Sequence, residues 1–162
     1  PYMLHGAAAA IDELTEKIDG LVDEIFETLS STDMHNDVWA LDMATNTWSE
    51  LFPSGEVPTK RYGHSSVLNS TTMVVFGGWD GSYCNDIWTL EMTSNAWSEL
   101  SPSGGPPAAR YDHSAVLYGT KMVVFGGNDG SSRNDVWILT MTINRWSELS
   151  PIGELHIARR DP

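Results

Sequence analysis

Most of this chain is predicted to be all-β: an open arc of four-stranded antiparallel blades, preceded by one amphipathic α-helix. Three observations predict it. Tryptophans recur at a fixed spacing, with Trp39, Trp88 and Trp137 standing 49 residues apart and Trp48, Trp97 and Trp146 doing the same. A whole passage repeats with them: residues 73–88 and 122–137 both read as a β-rich apolar run, Gly-Gly, an Asp-Gly turn, and Asn-Asp before a second apolar run. Residues 36–84 and 85–133 align without gaps at about 30 of 49 positions. Self-similarity at one period of this size marks a repeat architecture.

Residues 1–33 stand outside the repeat. Ile11, Leu14, Ile18, Leu21 and Ile25 alternate steps of three and four, the seam of an amphipathic helix, and Val22 and Leu29 widen it. The alanines at 7–10 favour helix, and Gly20 costs about 1 kcal/mol relative to alanine without ending it. The seam predicts a docking face, packed on its own domain or on a neighbour. Fewer than three heptads fit, so self-association through it comes second. A membrane-surface helix is disfavoured because the polar face is mostly Asp and Glu, with only Lys17 against them.

The repeat begins at residue 34. Residues 34–60 read as half a blade, with strands at 38–41 and 47–51 around a turn at 42–46. The prolines and glycine of 53–58 predict a loop. Residues 61–109 hold a complete unit, with strands at 64–68, 73–76, 87–90 and 97–100. Residues 110–150 repeat it at 113–117, 122–125, 136–139 and 146–149, and 151–162 lead toward a further blade. Four short strands joined by tight turns describe one blade of a β-propeller. Gly77 and Gly78 are expected to end the second strand at φ > 0. Asn85-Asp86 and Asn134-Asp135 are expected to bond their own turn backbones ahead of the third strand.

These details resemble the kelch repeat. The resemblance rests on Gly77-Gly78 with Trp88 and Trp97, and on Gly126-Gly127 with Trp137 and Trp146, and it covers roughly residues 34–160. Trp88 and Trp137 stand where the kelch pattern usually has Tyr. The resemblance implies a propeller whose partners dock on the face built by the d–a and b–c loops, the connections entering each blade and joining its two central strands. In this sequence that face comprises Arg61, Tyr62, Arg110, Tyr111 and Asp112, with Trp79, Asp80 and Tyr83 from one b–c loop and Asn128, Asp129 and Arg133 from the next. The two loops differ at Trp79/Asn128, Tyr83/Ser132 and Cys84/Arg133, and exposed Trp, Tyr and Arg are favoured at binding hot spots. Repeats this alike also resemble the tandem kelch arrays of protists and algae.

Composition narrows the function. A net charge of -13 and a pI near 4.5 argue against nucleic acid and anionic lipid as partners. No apolar run approaches the roughly 18 residues of a membrane span, so no direct membrane insertion is expected. Cys84 is the only thiol, which excludes an internal disulfide and a Cys-based zinc site. It also leaves the Cys–Tyr cofactor of some kelch-like enzymes unassignable. His64 and His113 hold equivalent positions, each followed by serine, and such duplication points to strand-start packing. Asp80-Gly81-Ser82 and Asp129-Gly130-Ser131 lack the alternating carboxylates of a calcium loop and read as turns. The sequon Asn69-Ser70-Thr71 falls in a hairpin turn.

The resulting expectation is a protein–protein interaction or scaffold module without catalytic residues, metal or cofactor. Its form would be a subunit of a larger assembly, for instance an accessory subunit on an organellar membrane complex such as a photosynthetic one. An intracellular or organellar setting, for instance the plastid, is favoured over secretion. The alternatives are an adaptor presenting ligands to another protein and, third, a propeller-based metalloenzyme. Propellers run from about four to eight blades, so an arc of two and a half has bare strand edges. Homo-oligomerisation through those edges or the helix is therefore a further expectation.

Overall fold

The computed structural model describes residues 34–150. The predicted helical seam of Ile11, Leu14, Ile18, Leu21 and Ile25 and the tail at 151–162 lie outside them. Ten strands follow in order: β1 (Val38–Asp42), β2 (Thr47–Leu51), β3 (Ser65–Asn69), β4 (Thr72–Trp79), β5 (Tyr83–Glu91), β6 (Ala96–Leu100), β7 (Ser114–Tyr118), β8 (Lys121–Asn128), β9 (Ser132–Thr140) and β10 (Arg145–Leu149). A single 3₁₀ turn, Met141–Ile143, stands between the last two. All the sheets are antiparallel meanders: β1-β2, then β3-β4-β5-β6, then β7-β8-β9-β10. One two-stranded and two four-stranded sheets are consistent with the half blade and two whole blades expected of a propeller segment.

The hairpins close by means specific to each residue. Asn46, Asn95 and Asn144 take positive φ at the end of the three β1–β2-type turns, a conformation that asparagine tolerates better than most side chains. Asp42 caps the first of these turns by accepting the Ala44 and Thr45 amides. Glu91 does the same in the second through the Thr93 amide and hydroxyl, and also accepts the Thr72 hydroxyl. Those donors hold the Glu91 carboxyl down at about 2. At the corresponding place in the third hairpin stands Thr140, with no carboxylate to cap, and there the chain makes the 3₁₀ turn.

Period-two alternation gives each blade two apolar faces. Val67, Val74, Phe76 and Ile87 of the first blade pack on Met122, Val124, Leu139 and Trp146 of the second. The opposite face of the first blade, Val75, Trp88, Leu90 and Trp97, takes Val38 from the half blade. Burying one such side chain stabilises by about 1.5–3 kcal/mol, so stacking of blades, more than any one sheet, holds the fold. His113 seals the junction, with Nε2 hydrogen-bonded at 2.8 Å to the Ser65 hydroxyl of the preceding blade and its ring edge-on to Phe76.

Two expectations need correction. The Gly-Gly pair does not end the second strand. Gly77 sits at a β-bulge and pairing resumes beyond it, Gly78 opposite Cys84 and Trp79 opposite Tyr83; β8 and β9 do likewise. The positive φ at both glycines is as expected. A Cβ on Gly78 would meet the Tyr62 carbonyl and His64, so close approach decides the residue there. Second, Asn85-Asp86 and Asn134-Asp135 are not turn residues: they lie inside β5 and β9, and their aspartates serve a different purpose, described next. The proline-rich segments are loops as expected, yet Ser54 and Ser103 each make one parallel bridge, to Ala96 and Arg145.

Candidate partner-docking face

The face expected to bind partners is built by the segments entering β3 and β7 and by the β4–β5 and β8–β9 turns. Its foundation is a repeated ion pair. Arg61 donates from Nη1 and Nη2 to the two carboxylate oxygens of Asp86, at 2.6 and 2.7 Å, and from Nη1 to the Gly77 carbonyl. The Trp88 indole donates to the same carboxylate at 2.7 Å. Arg110 repeats the arrangement with Asp135 at 2.6 and 2.8 Å, the Gly126 carbonyl and the Trp137 indole. Burial would raise the Asp86 carboxyl, but Arg61 and Trp88 outweigh it and hold it below the usual range. Arg110, acting against partial burial and helped by Trp137, does the same for Asp135.

Arg61 and Arg110 are only 5% and 1% exposed. The expectation that they present cations on the docking face is therefore corrected: both point inward and are neutralised. The bidentate geometry explains the choice of arginine, whose planar fork matches a carboxylate. The reason for an Asp two residues before each of Trp88 and Trp137 also becomes clear. Asp37 and Trp39 form the same indole–carboxylate bond in the half blade, at 2.6 Å.

The other candidates do converge. Tyr62 pairs its backbone with Trp79, and Tyr111 pairs with Asn128. That places Tyr62, Trp79, Tyr83 and Tyr111 in one cluster across the junction of the two blades. Ring centroids lie 4.8 Å apart for Trp79–Tyr83, 5.8 Å for Tyr83–Tyr111, 6.0 Å for Tyr62–Tyr111 and 6.3 Å for Trp79–Tyr111. All four remain partly accessible. Asp112 follows Tyr111 at positive φ, and its amide donates to the Gly63 carbonyl. Partial burial, then the Asp112 carboxylate, then the neighbouring phenols raise the Tyr111 hydroxyl above its ordinary value.

Asp80 accepts the Thr59 and Ser82 hydroxyls and lies at the turn beside Trp79. In the next turn Arg133 pairs with Asp129, Nε at 2.8 Å and Nη2 at 2.7 Å, and the Asn128 side chain accepts the Gly130 amide. This second loop is thus tied to itself, whereas the first presents rings. Cys84 lies beneath, its thiol pushed up to about 11 by burial first, so it stays protonated at neutral pH. Among the described residues no cluster of His, Cys, Asp and Glu could hold a metal ion, and no helix is long and apolar enough to cross a membrane.

The aromatic cluster was legible as separate residues, not as a unit, because it joins Tyr62 to Tyr111 across a full period. A cavity of about 240 Å³ elsewhere, lined by His35, Asp37, Trp39, His64, Met73 and Trp97, lies between the half blade and the first blade.

Comparison with known proteins adds three findings. Residues 26–162 match the KLHDC2/KLHL20/DRC7 Kelch-repeats domain. A stretch of 49 residues is 41% identical to Tip elongation aberrant protein 1 of Schizosaccharomyces pombe, covering 30% of this chain and 4% of that protein. Another of 43 residues is 46% identical to Host cell factor of Drosophila melanogaster, covering 26% of this chain and 3% of that protein. The chain thus matches only a small fraction of these relatives' lengths.

Proposed function

The chain belongs to the kelch-repeat family, and from that premise we propose that it is a non-catalytic interaction module that docks a protein partner on the loop face of its two blades. Kelch-repeat domains generally mediate protein–protein contacts and are typically not enzymes. The observation that carries the proposal is the cluster of Tyr62, Trp79, Tyr83 and Tyr111. Aromatic rings left accessible on rigid strand ends are anchors of the kind that dominate interface energies. The neighbouring blade has Asn128 and Ser132 at the corresponding turn positions, so folding a blade does not require the rings.

A photo-crosslinking residue at position 83, compared with one at Ser98 on the outer strand β6, tests this in an extract of the native source. A discrete adduct from position 83 alone is expected; equal adducts from both, or adducts from 98 only, would overturn the proposal. Its finer form is an accessory subunit of an organellar membrane complex, supported by the resemblance of the repeats to algal kelch arrays. That form predicts co-migration of the native protein with a membrane complex on a native gel. Migration alone would remove it.

A further inference from the structure

The electrostatics of the docking face point to the chemistry of what it takes; this inference rests on the docking-face reading above. Three arginines stand at or under the face, and all three are consumed internally. Arg61 and Arg110 are buried against Asp86 and Asp135, and Arg133 is paired with Asp129. Beside the rings, the carboxylates of Asp80 and Asp112 are left over, with Lys60 next to Arg61 on the side of the half blade. Neither Asp80 nor Asp112 forms an ion pair among the described residues. Asp112 borders the cluster: its backbone is continuous with Tyr111, and its carboxylate lies beside Gly63, the residue after Tyr62. The face of each of the four rings carries negative potential that attracts a cation within about 6 Å of the centroid. An anion at the rings would meet carboxylates, with none of these three guanidiniums free to answer it.

We propose that Tyr62, Trp79, Tyr83, Tyr111 and Asp112 form a cation-binding platform that receives an arginine or lysine side chain from a basic segment of the partner. The rings would contact the cationic head while Asp112 accepts its N–H groups. The net charge of -13 would steer a basic segment toward the chain from a distance.

The test uses the full 162-residue chain and a Gly/Ser nonapeptide with a central Arg-Lys-Arg, titrated by calorimetry. Two further peptides serve as controls: one with citrulline and norleucine in those places, one with three glutamates. Binding of the basic peptide is expected, with the neutral peptide at least about tenfold weaker. The double variant W79N/Y83S substitutes the residues that the next blade carries at the same positions, so it should fold. It should weaken the basic peptide about tenfold. Asp112→Gly, the residue of the preceding unit and suited to the positive φ, should weaken it too and flatten its salt dependence. Circular dichroism and melting confirm that both variants are folded.

Equal affinity for the neutral peptide, or an unchanged affinity in W79N/Y83S, would overturn the cation platform. Preference for the acidic peptide, abolished by W79N/Y83S, would overturn the cation assignment while sustaining the docking face. Failure of all three peptides would overturn the platform, and a surviving adduct from position 83 would then show that the face still binds. Loss of both would end both readings.

Discussion

At Arg110 one side chain closes four hydrogen bonds, to the carbonyls of Ala108 and Gly126 and to both oxygens of Asp135. Removing it leaves a carboxylate that is only partly solvated and has lost its counterion. Arg110→Met should therefore cost about 3–5 kcal/mol, read as a fall in the urea midpoint at unchanged slope. A loss under about 1 kcal/mol would mean that water replaces the guanidinium. His113 supplies a second prediction. Burial first, then Arg110, pushes its imidazole down to about 4, whereas the unfolded chain titrates near the ordinary value of about 6.5. The unfolded state thus binds more protons between those pH values, and stability must fall as pH drops through that window. His64, lowered by burial and by Arg61, acts in the same direction. Asp86 and Asp135, with depressed carboxyls, lose their contribution only below about pH 4. The melting temperature should decline from pH 6.5 to 4, and His113→Gln should flatten the decline. An unaltered slope in that variant would remove His113 as the cause. These roles were hidden in the sequence for a physical reason. Arg61 and Asp86 are 25 residues apart on non-consecutive elements, and only the same interval at Arg110 and Asp135 carries the signal.

The strands themselves were legible, because alternation of apolar residues and punctuation by turns are local. Every strand from Val38 to Leu149 appears where the period places it. Their lengths were not: Gly-Gly looks like a stop by propensity, yet cross-strand partners such as Trp79 and Tyr83 carry β4 and β5 past it. The consequence reaches the docking face, where rings read as belonging to loops stand on paired strand ends. The linkers show a related effect. Gly55 and Gly104 both have a φ of +89° and would press a Cβ onto the carbonyls of Trp97 and Trp146 respectively, because the lead-in segment runs against the outer strand of its blade. Gly105 also has positive φ but open space around it. Gly105→Ala should cost about 1–2 kcal/mol from backbone conformation alone. Gly104→Ala should cost roughly double, since the β10 contact must also open. Equal losses in chemical denaturation would show that the close approach relaxes freely.

Over the whole described segment, the two blades stack by translating one apolar face onto the opposite face of the next. The residues of the second blade that match Val67 and Phe76 are Val116 and Phe125, and these are 61% and 45% exposed. An accessible apolar face of this kind favours association. The 162-residue chain should show mass above 17.9 kDa in light scattering at high concentration, and Phe125→Lys should shift it toward monomer without lowering stability. An unshifted mass would place the contact elsewhere. The arginine clamp has one more consequence. Both ends of each clamp fall within a single 49-residue period, as do the indole and carbonyl that complete it. What crosses from blade to blade is largely greasy contact and main-chain bonding, such as the Asp112 amide to the Gly63 carbonyl, together with the His113–Ser65 bond. A recombination event that inserted or deleted one whole period would leave every guanidinium beside its own carboxylate. The gene can therefore gain or lose copies without stranding a charge, and similar neighbours in unbroken register are what such copying leaves behind.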